Sequence, residues 1–413
     1  LFPYTTLFRS VGRVGLMILA CGTGSWRVRD SMNVVARNLG MTCSADIGLV
    51  SIEYTCIDDN HSYTQAISLP TTGVNTTRLN ALEKFVKEIE RGKREWTIAE
   101  IDHRLTEIER MKGNYRPYQV GLAAALACSA FVFLLGGGPV EMLCSFVGAG
   151  CGNFVRRKMI DRHITLLACV AVSVAVACLL YLVPFMALQN FWGINERHEA
   201  GYIGAMLFII PGFPFITSGL DLAKLDMRSG LERAAYALLI ITVATLVGWL
   251  VALMVHLRPA NFAALPLNEW QLLLLRLPAS FCGVFGFSIM FNSTPKMAAT
   301  AGVIGALGNT LRLELVDFGM AAGPAAFLGA LACGLLAAIV RNRVGYPRIA
   351  ITIPSVVIMV PGLYMYRAVY NLGLQSVNTG AEWLTRAMLI VLFLPLGQVA
   401  ARVLTDTKWR HNG

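Results

Sequence analysis

Long apolar stretches separated by short polar segments dominate the chain from Pro117 onward. Each stretch approaches the roughly 20 residues that an α-helix needs to cross the hydrocarbon core of a bilayer. We predict ten membrane spans, at 117–136, 139–156, 163–184, 201–221, 233–256, 270–291, 295–313, 319–340, 349–370 and 383–404. This pattern is typical of a polytopic α-helical membrane protein.

The segment before Pro117 has a different pattern, with apolar residues spaced as in amphipathic elements. Helical spacing predicts a helix over 25–39 and two more between 79 and 111, the second opening with the capping box Thr97 to Glu100. The segments 45–57 and 62–69 are predicted strands. The apolar run 14–21 after Arg13 could pass for a signal peptide or lipobox. We interpret it as a soluble helix, because it has only about eight residues and its small residues do not fit a cleavage site.

Together these elements predict a small cytoplasmic α+β domain at residues 11–116. Residues 1–10, LFPYTTLFRS, resemble a sequencing-library adapter translated in frame. We interpret them as an adapter-derived artefact and set them aside from the prediction of the fold.

Composition and charge support a membrane protein with a soluble first part. Of 413 residues, 55% are hydrophobic, which is too apolar for an ordinary soluble enzyme of this length. The net charge of +10 does not indicate nucleic acid, because the excess of Lys and Arg lies beside the predicted spans. With the N-terminus inside, fourteen basic residues fall on the inner side of the membrane part and six on the outer side. We therefore predict a bacterial cytoplasmic-membrane protein with both termini in the cytoplasm.

Two motifs recur along the membrane part and predict an internal repeat. Pro211-Gly212 interrupts the fourth span, and Pro361-Gly362 interrupts the ninth. The signature Gly-Asn-x-x-Arg occurs at 152–156 and again at 308–312. An odd number of spans per half reverses the orientation of the second half, so we predict two inverted five-helix repeats, at 117–258 and 265–413.

The chain resembles a known family at several of these positions. The segment 24–30 (GSWRVRD), the strands after it, Gly136-Gly137-Gly138, the Gly-Asn pairs and the Pro-Gly helix are similar to the bacterial threonine/serine exporters, in their fused two-unit form. The resemblance implies export of small hydroxy amino acids, threonine and serine, driven by the proton gradient or the membrane potential. Two-chain relatives are linked with dicarboxylate export, which keeps a succinate-like substrate open.

Broken helices supply groups that suit a zwitterion, because they expose N–H groups after the break and carbonyl groups before it. We expect the substrate site between the fourth and ninth spans near mid-membrane. The candidate substrate-binding residues are Pro211, Gly212, Pro361, Gly362, Asn153 and Asn309. The candidate gating or ion-coupling residues are Asp221, Asn371 and Arg312.

Enzyme chemistry is not indicated by the sequence. The ten cysteines lack zinc or redox spacing, and no nucleophile with a neighbouring base or phosphate-binding loop stands out. We therefore expect a transporter with no metal or cofactor, whose partners are a small amino acid, protons and the lipid bilayer, with the oligomeric state left open. The alternative from another class is a channel-like or sensory membrane protein, although rings of charge typical of channels do not stand out.

Overall fold

A computed structural model describes residues 3–59, 61–92, 96–193, 201–257, 262 and 265–410. The first part, residues 3–116, is called the N-terminal unit here and combines helices with one small sheet. Its helices are α1 (Pro3–Leu19), α2 (Ser25–Asn38), α3 (Thr76–Glu90) and α4 (Ile98–Glu109). Its strands are β1 (Thr42–Ile47), β2 (Ser51–Ile57) and β3 (Ser62–Ser68), antiparallel in the order β1-β2-β3.

The prediction of one strand over 45–57 was wrong, because this segment folds as a hairpin. The Gly48 N–H donates to the Ser51 carbonyl at 2.8 Å and closes the turn between β1 and β2. A glycine inside an apolar, β-prone run was the one local sign of this turn. The α2 helix and the Thr97 to Glu100 capping box, by contrast, are confirmed.

Helix α1 runs across the boundary predicted at residue 11, and the domain bounds stay a prediction. Helix α1 begins at Pro3, and residues that we had set aside form its first half. Phe8 is buried and stacks on Tyr63 of β3 at 5.1 Å between ring centroids, while its carbonyl accepts from the Tyr54 hydroxyl at 3.1 Å. The Ser10 hydroxyl also donates to Asp102 of α4 at 3.1 Å. Phe8 and Ser10 are therefore packed as part of the N-terminal unit.

The rest of the described chain is almost entirely helical. Its elements are α5 (Pro117–Leu134), α6 (Pro139–Asp161), α7 (Leu166–Trp192), α8 (Tyr202–Ala205), a 3-10 turn (Leu207–Ile209), α9 (Gly212–Ala223), α10 (Met227–Met254), α11 (Glu269–Met290), α12 (Pro295–Asp317), α13 (Ala322–Val344), α14 (Arg348–Val357), α15 (Gly362–Gly373), α16 (Val377–Thr405) and α17 (Thr407–Arg410).

Each of the ten predicted spans overlaps one of these helices or a bent pair of them. Six of the described helices are long and apolar enough to cross a membrane, or up to eight spans if each bent pair counts as one. Helices α6 and α12 fall below that mark, because glycines and polar residues, including the Gly-Asn pairs, lower their mean hydropathy. The count of ten spans therefore stays a prediction.

Helices α6 and α12 each pack through glycine against the following helix. A methyl group on Gly152 would lie 2.8 Å from the Ser173 carbonyl oxygen of α7, and one on Gly308 would lie 3.0 Å from the Gly329 carbonyl oxygen of α13. Gly308 comes 156 positions after Gly152, and Gly329 comes 156 positions after Ser173. Glycine is needed at both sites because the neighbouring backbone leaves no room for a side chain.

Both ends of the described chain lie on one face of the membrane helices, where the N-terminal unit packs. Thr76 of α3 bonds to Ser293 in the α11–α12 loop at 2.7 Å between hydroxyl oxygens. Near the other end of the chain, Trp409 of α17 packs edge-on against Trp26 of α2 at 5.7 Å between ring centroids. This face is called the unit face below.

Candidate substrate pathway at the helix breaks

The two predicted breaks have nearly the same backbone geometry. Pro211 has φ −80° and ψ 55°, and Pro361 has φ −83° and ψ 54°, which are values of an inverse γ-turn. The N–H of the following glycine donates to the carbonyl two residues earlier, Gly212 to Ile210 at 2.8 Å and Gly362 to Val360 at 2.9 Å. The helix axes bend by 52° and 47° at these points. Proline causes the break, because it lacks the N–H that would continue the helix.

The two breaks lie against each other. A methyl group on Gly212 would lie 3.2 Å from the nearest side-chain atoms of Val357, before the second break. A methyl group on Gly362 would overlap the side chain of Ile210, before the first break, and would lie 3.0 Å from Leu207. The glycines therefore allow the two bent pairs to cross in close contact.

One cavity, of about 490 Å³, lies on the surface of the N-terminal unit beside Trp96 and His103, away from the breaks. A second cavity, of about 480 Å³, reaches the second break and is lined by Pro361 and Gly362. It is called the break cavity below. Pro211 and Gly212 do not line it.

The break cavity opens on the face opposite the N-terminal unit. Helix α5 leaves the unit at Pro117, and Phe131, Phe133 and Leu134 at its far end line the cavity. Helix α12 likewise begins next to the loop that contacts Thr76, and its later residues Arg312 and Val316 line the cavity. The open cavity and the N-terminal unit therefore lie at opposite ends of the helices.

Three arginines line the break cavity: Arg276 of α11, Arg312 of α12 and Arg367 of α15. Arg276 is already paired with Glu314 at 2.7 Å and Asp317 at 2.6 Å. An arginine presents only N–H donors, in a planar fork that matches a carboxylate. The cavity is therefore suited to an anionic group.

Asn309 does not itself line the cavity, but it bonds to Arg312, which does. Its side-chain oxygen accepts from Arg312 Nε at 3.1 Å, and its amide nitrogen donates to the Ser280 hydroxyl of α11 at 2.9 Å. These two bonds orient the guanidinium toward the cavity. The later part of the Gly-Asn-x-x-Arg signature thus works as a unit on α12.

Aromatic side chains complete the cavity wall. The guanidinium of Arg367 lies 4.9 Å from the ring centroid of Trp383, and the Tyr364 ring lies 5.2 Å from the same ring. Arg276 and Arg367 are two of the six basic residues that the charge count puts on the outer side of the membrane. Their position inside apolar spans was the signal that could have marked them, because such charges usually have a function.

Other predicted site residues lie apart from the break cavity. Asn153 is buried on α6, where the adjacent Gly152 packs close to Phe208 of the 3-10 turn, so it lies near the first bent pair. Asn371 donates to the Arg367 carbonyl one helical turn earlier, at 2.7 Å. Neither residue lines the cavity.

Asp221, predicted to gate or to couple ions, lies at the unit face and joins the N-terminal unit to the membrane helices. Its carboxylate pairs with Arg233 of α10 at 3.1 Å and accepts from the Ser229 hydroxyl at 2.8 Å. It also accepts from the backbone N–H of Ser25, the first residue of α2, at 3.0 Å. Arg233 in turn donates to the Thr23 carbonyl at 2.8 Å. The buried ion pair is thus shared between both parts of the protein.

Replacing Asp221 with Asn should destabilise the protein, because Arg233 is only 2% exposed and would lose its carboxylate. Leaving one member of a buried ion pair unpaired costs about 3–5 kcal/mol. The melting temperature of the full-length protein in detergent would measure this loss. The double variant Asp221→Leu with Arg233→Met removes both charges and should recover most of it. Equal melting temperatures for Asp221→Asn and wild type would contradict the claim that this ion pair stabilises the protein.

Comparison with known proteins agrees with this architecture. The family described as "Putative threonine/serine exporter" matches residues 9–256, and a second described as "Threonine/Serine exporter, ThrE" matches residues 277–404. The "Probable threonine/serine exporter" of Mycobacterium tuberculosis is 24% identical over 95% of this chain and 75% of its own length.

Shorter relatives match part of the chain. The "Probable succinate transporter subunit YjjP" of Escherichia coli is 25% identical over 58% of this chain and 90% of its own length. The similar subunit of Klebsiella aerogenes is 24% identical over the same share of this chain. No solved structure matches. Since the first family spans more than half of the chain and the second continues it, the chain belongs to the threonine/serine exporter family, in the form that joins both units in one polypeptide.

Proposed function

We propose that this membrane exporter moves small hydroxy amino acids, threonine and serine, out of the cytoplasm through the break cavity. The observation that carries the proposal is the cavity itself, which ends at the crossing of two broken helices and presents Arg312 and Arg367. Arginine suits the carboxylate of an amino acid, and Tyr364 on the same wall suits its hydroxyl. The name of the relative that covers most of the chain supports this substrate class.

The mechanism we propose is alternating access around the crossing of the breaks, driven by the proton gradient or the membrane potential. In the described arrangement the cavity opens away from the N-terminal unit, while Asp221 and Arg233 hold the unit face closed. Gly212 and Gly362 allow the bent pairs to slide past each other, because they carry no side chain at the contact. Substrate would reach the breaks from the unit face when this contact rearranges.

An inverted repeat of five spans each fits this mechanism. The matching geometry at Pro211 and Pro361, and the matching glycine contacts of α6 and α12, support it. We propose ten spans, with the N-terminal unit and both ends in the cytoplasm, because the basic flanks lie on the unit face. The break cavity then faces the outside of the cell.

A second substrate class is favoured by one observation. The titratable residues that line the break cavity are three arginines and Tyr364, and no carboxylate is among the described lining residues. An amino acid needs an acceptor for its ammonium group, whereas a dicarboxylate such as succinate needs only positive charge. Succinate export is therefore the alternative, in line with the name of the shorter relatives.

Counterflow in proteoliposomes would decide between the two substrates. Vesicles containing the purified protein are loaded with unlabelled threonine, serine or succinate and then given a trace of the same labelled compound outside. We expect transient accumulation of labelled threonine and serine above the level of protein-free vesicles. Accumulation of succinate alone would select the alternative, and accumulation of none of the three would contradict both.

A further inference from the structure

Four arginines gather on the unit face, where the N-terminal unit meets the membrane helices. They are Arg27 of α2, Arg341 of α13, Arg348 of α14 and Arg402 of α16, called the junction cluster here. Arg27 and Arg402 meet at the ring of Trp26, whose centroid lies 4.8 Å from the guanidinium of Arg27 and 5.5 Å from that of Arg402. Arg402 is 1% exposed and Arg348 is 3% exposed, so water does not offset the repulsion. Burial, with a further contribution from Arg341, lowers the pKa of Arg27 to about 10.

The junction cluster holds several buried N–H donors without a hydrogen-bond acceptor among the described residues. They are Nε and Nη2 of Arg402, Nε of Arg27, Nε of Arg348, and the indole Nε1 of Trp26 and Trp409. Guanidinium and indole groups donate and do not accept, so they cannot satisfy one another. Unsatisfied buried donors call for an acceptor in the same place.

Carboxylates among the described residues do not balance this charge. Glu83 pairs with Arg27, and Asp30 pairs with Lys408 at 3.5 Å. Asp406 is the further described carboxylate close enough to attract Arg348 and Arg402. Positive charge therefore remains in excess at the junction.

The indole rings hold the cations in place but do not neutralise them. The guanidinium of Arg27 lies 4.8 Å from the ring centroid of Trp26, and that of Arg402 lies 4.9 Å from the ring centroid of Trp409. The Lys224 ammonium lies 4.9 Å from the Trp409 ring as well. A cation on an aromatic face gains less than a buried charge loses on leaving water. These contacts therefore position the donors without completing the site.

We propose that the junction cluster binds a small oxyanion, a carboxylate or a phosphate, between α2 of the N-terminal unit and α14 and α16 of the membrane helices. The anion accepts from the unsatisfied N–H groups and ties the unit to the membrane helices. This site is separate from the break cavity, which lies on the opposite face. It does not depend on the exporter proposal.

Thermal unfolding of the full-length protein in detergent tests this site. Succinate, inorganic phosphate and threonine are each titrated at constant ionic strength, with sodium chloride as the balancing salt. In a further arm, nanodiscs of phosphatidylglycerol are compared with nanodiscs of phosphatidylcholine, which identifies a lipid phosphate as the source. We expect at least one oxyanion to raise the melting temperature of wild type in a saturable way.

Arg402→Gln should abolish that rise. It should also increase the melting temperature in anion-free buffer, because it relieves repulsion among buried like charges. A purely structural arginine would give the opposite sign, so misfolding of the variant cannot imitate the expected result. Arg37→Gln is the matched control, because Arg37 is exposed on α2 outside the cluster, and it should keep the full rise.

Three results would overturn the site. The first is that no oxyanion or anionic lipid stabilises wild type. The second is that Arg402→Gln keeps the rise that wild type shows. The third is that Arg312→Gln, which alters the break cavity and should keep the rise, loses it, because the anion would then bind in that cavity. Because counterflow is not part of this test, either proposal can fail without the other.

Discussion

Replacing Gly362 with Leu is expected to abolish export while the protein still inserts into the membrane. Even a single methyl group at this position would overlap the side chain of Ile210 and crowd Leu207 across the crossing of the breaks. A leucine would also project toward the break cavity, since Gly362 lines it. We expect efflux from loaded cells or proteoliposomes to fall by at least about 100-fold, as for other displacements of about 1 Å at a reacting site.

The two glycines offer a matched comparison. A methyl group on Gly212 would lie 3.2 Å from Val357 and 3.3 Å from Val360, which small shifts accommodate. Gly212→Ala should therefore keep most of the efflux, whereas Gly362→Ala should lose more than about tenfold because overpacking costs roughly 1–3 kcal/mol. Leucine at position 212 should be as damaging as leucine at position 362. Normal efflux from both leucine variants would mean that the breaks are kinks without a role in transport.

Replacing Arg312 with Gln is expected to weaken substrate binding more than any other single change in the cavity wall. The guanidinium of Arg312 lines the cavity beside the second break, and a hydrogen bond to Asn309 orients it. Loss of one partner of a buried, hydrogen-bonded charge pair costs about 2–5 kcal/mol, which corresponds to a rise in KM of at least about 30-fold. Concentration-dependent transport in proteoliposomes would measure it. The KM of Arg312→Lys should lie between those of wild type and Arg312→Gln, since lysine keeps the charge but lacks the planar fork of N–H donors.

Arg386→Gln provides the control for this prediction. Arg386 lies near the same face of the membrane helices, but it is exposed and pairs with Glu382 one turn away at 2.5 Å. An exposed pair contributes about 0–1 kcal/mol, so KM should change by less than about fivefold. Similar KM values for the Arg312 and Arg386 variants would show that the substrate carboxylate is bound elsewhere.

Features that depend on a few neighbouring residues could be predicted from the sequence. Pro211 and Pro361 each remove a backbone donor and stand directly before a glycine, and the helix breaks at both. The Thr97 to Glu100 capping box likewise forms from residues within one turn. The hairpin at Gly48 was missed because apolar, β-prone residues continue on both sides and hide the turn.

The composition of the break cavity could not be predicted in the same way. Its arginines come from α11, α12 and α15, and the order of residues along the chain does not say which helix faces meet. The junction cluster could not be predicted from the sequence for the same reason. Arg27 belongs to the N-terminal unit and Arg402 to α16, near the other end of the chain, and each taken singly resembles an ordinary basic flank. Asp221 was expected at a gate because of its place at the end of a span, and only the fold shows that Ser25 and Arg233 bind it.

Side-specific labelling of one cavity residue tests the central claim of alternating access most directly. Val316 lines the break cavity, and Val316→Cys can be made after serine replaces Cys43, Cys151 and Cys282, the three cysteines that are not buried. A membrane-impermeant thiol reagent is applied to oriented vesicles from either side, with and without threonine. The account predicts labelling from the side opposite the N-terminal unit, and a change in its rate when threonine is present. Equal labelling from both sides, unaffected by threonine or succinate, would indicate an open channel and contradict it.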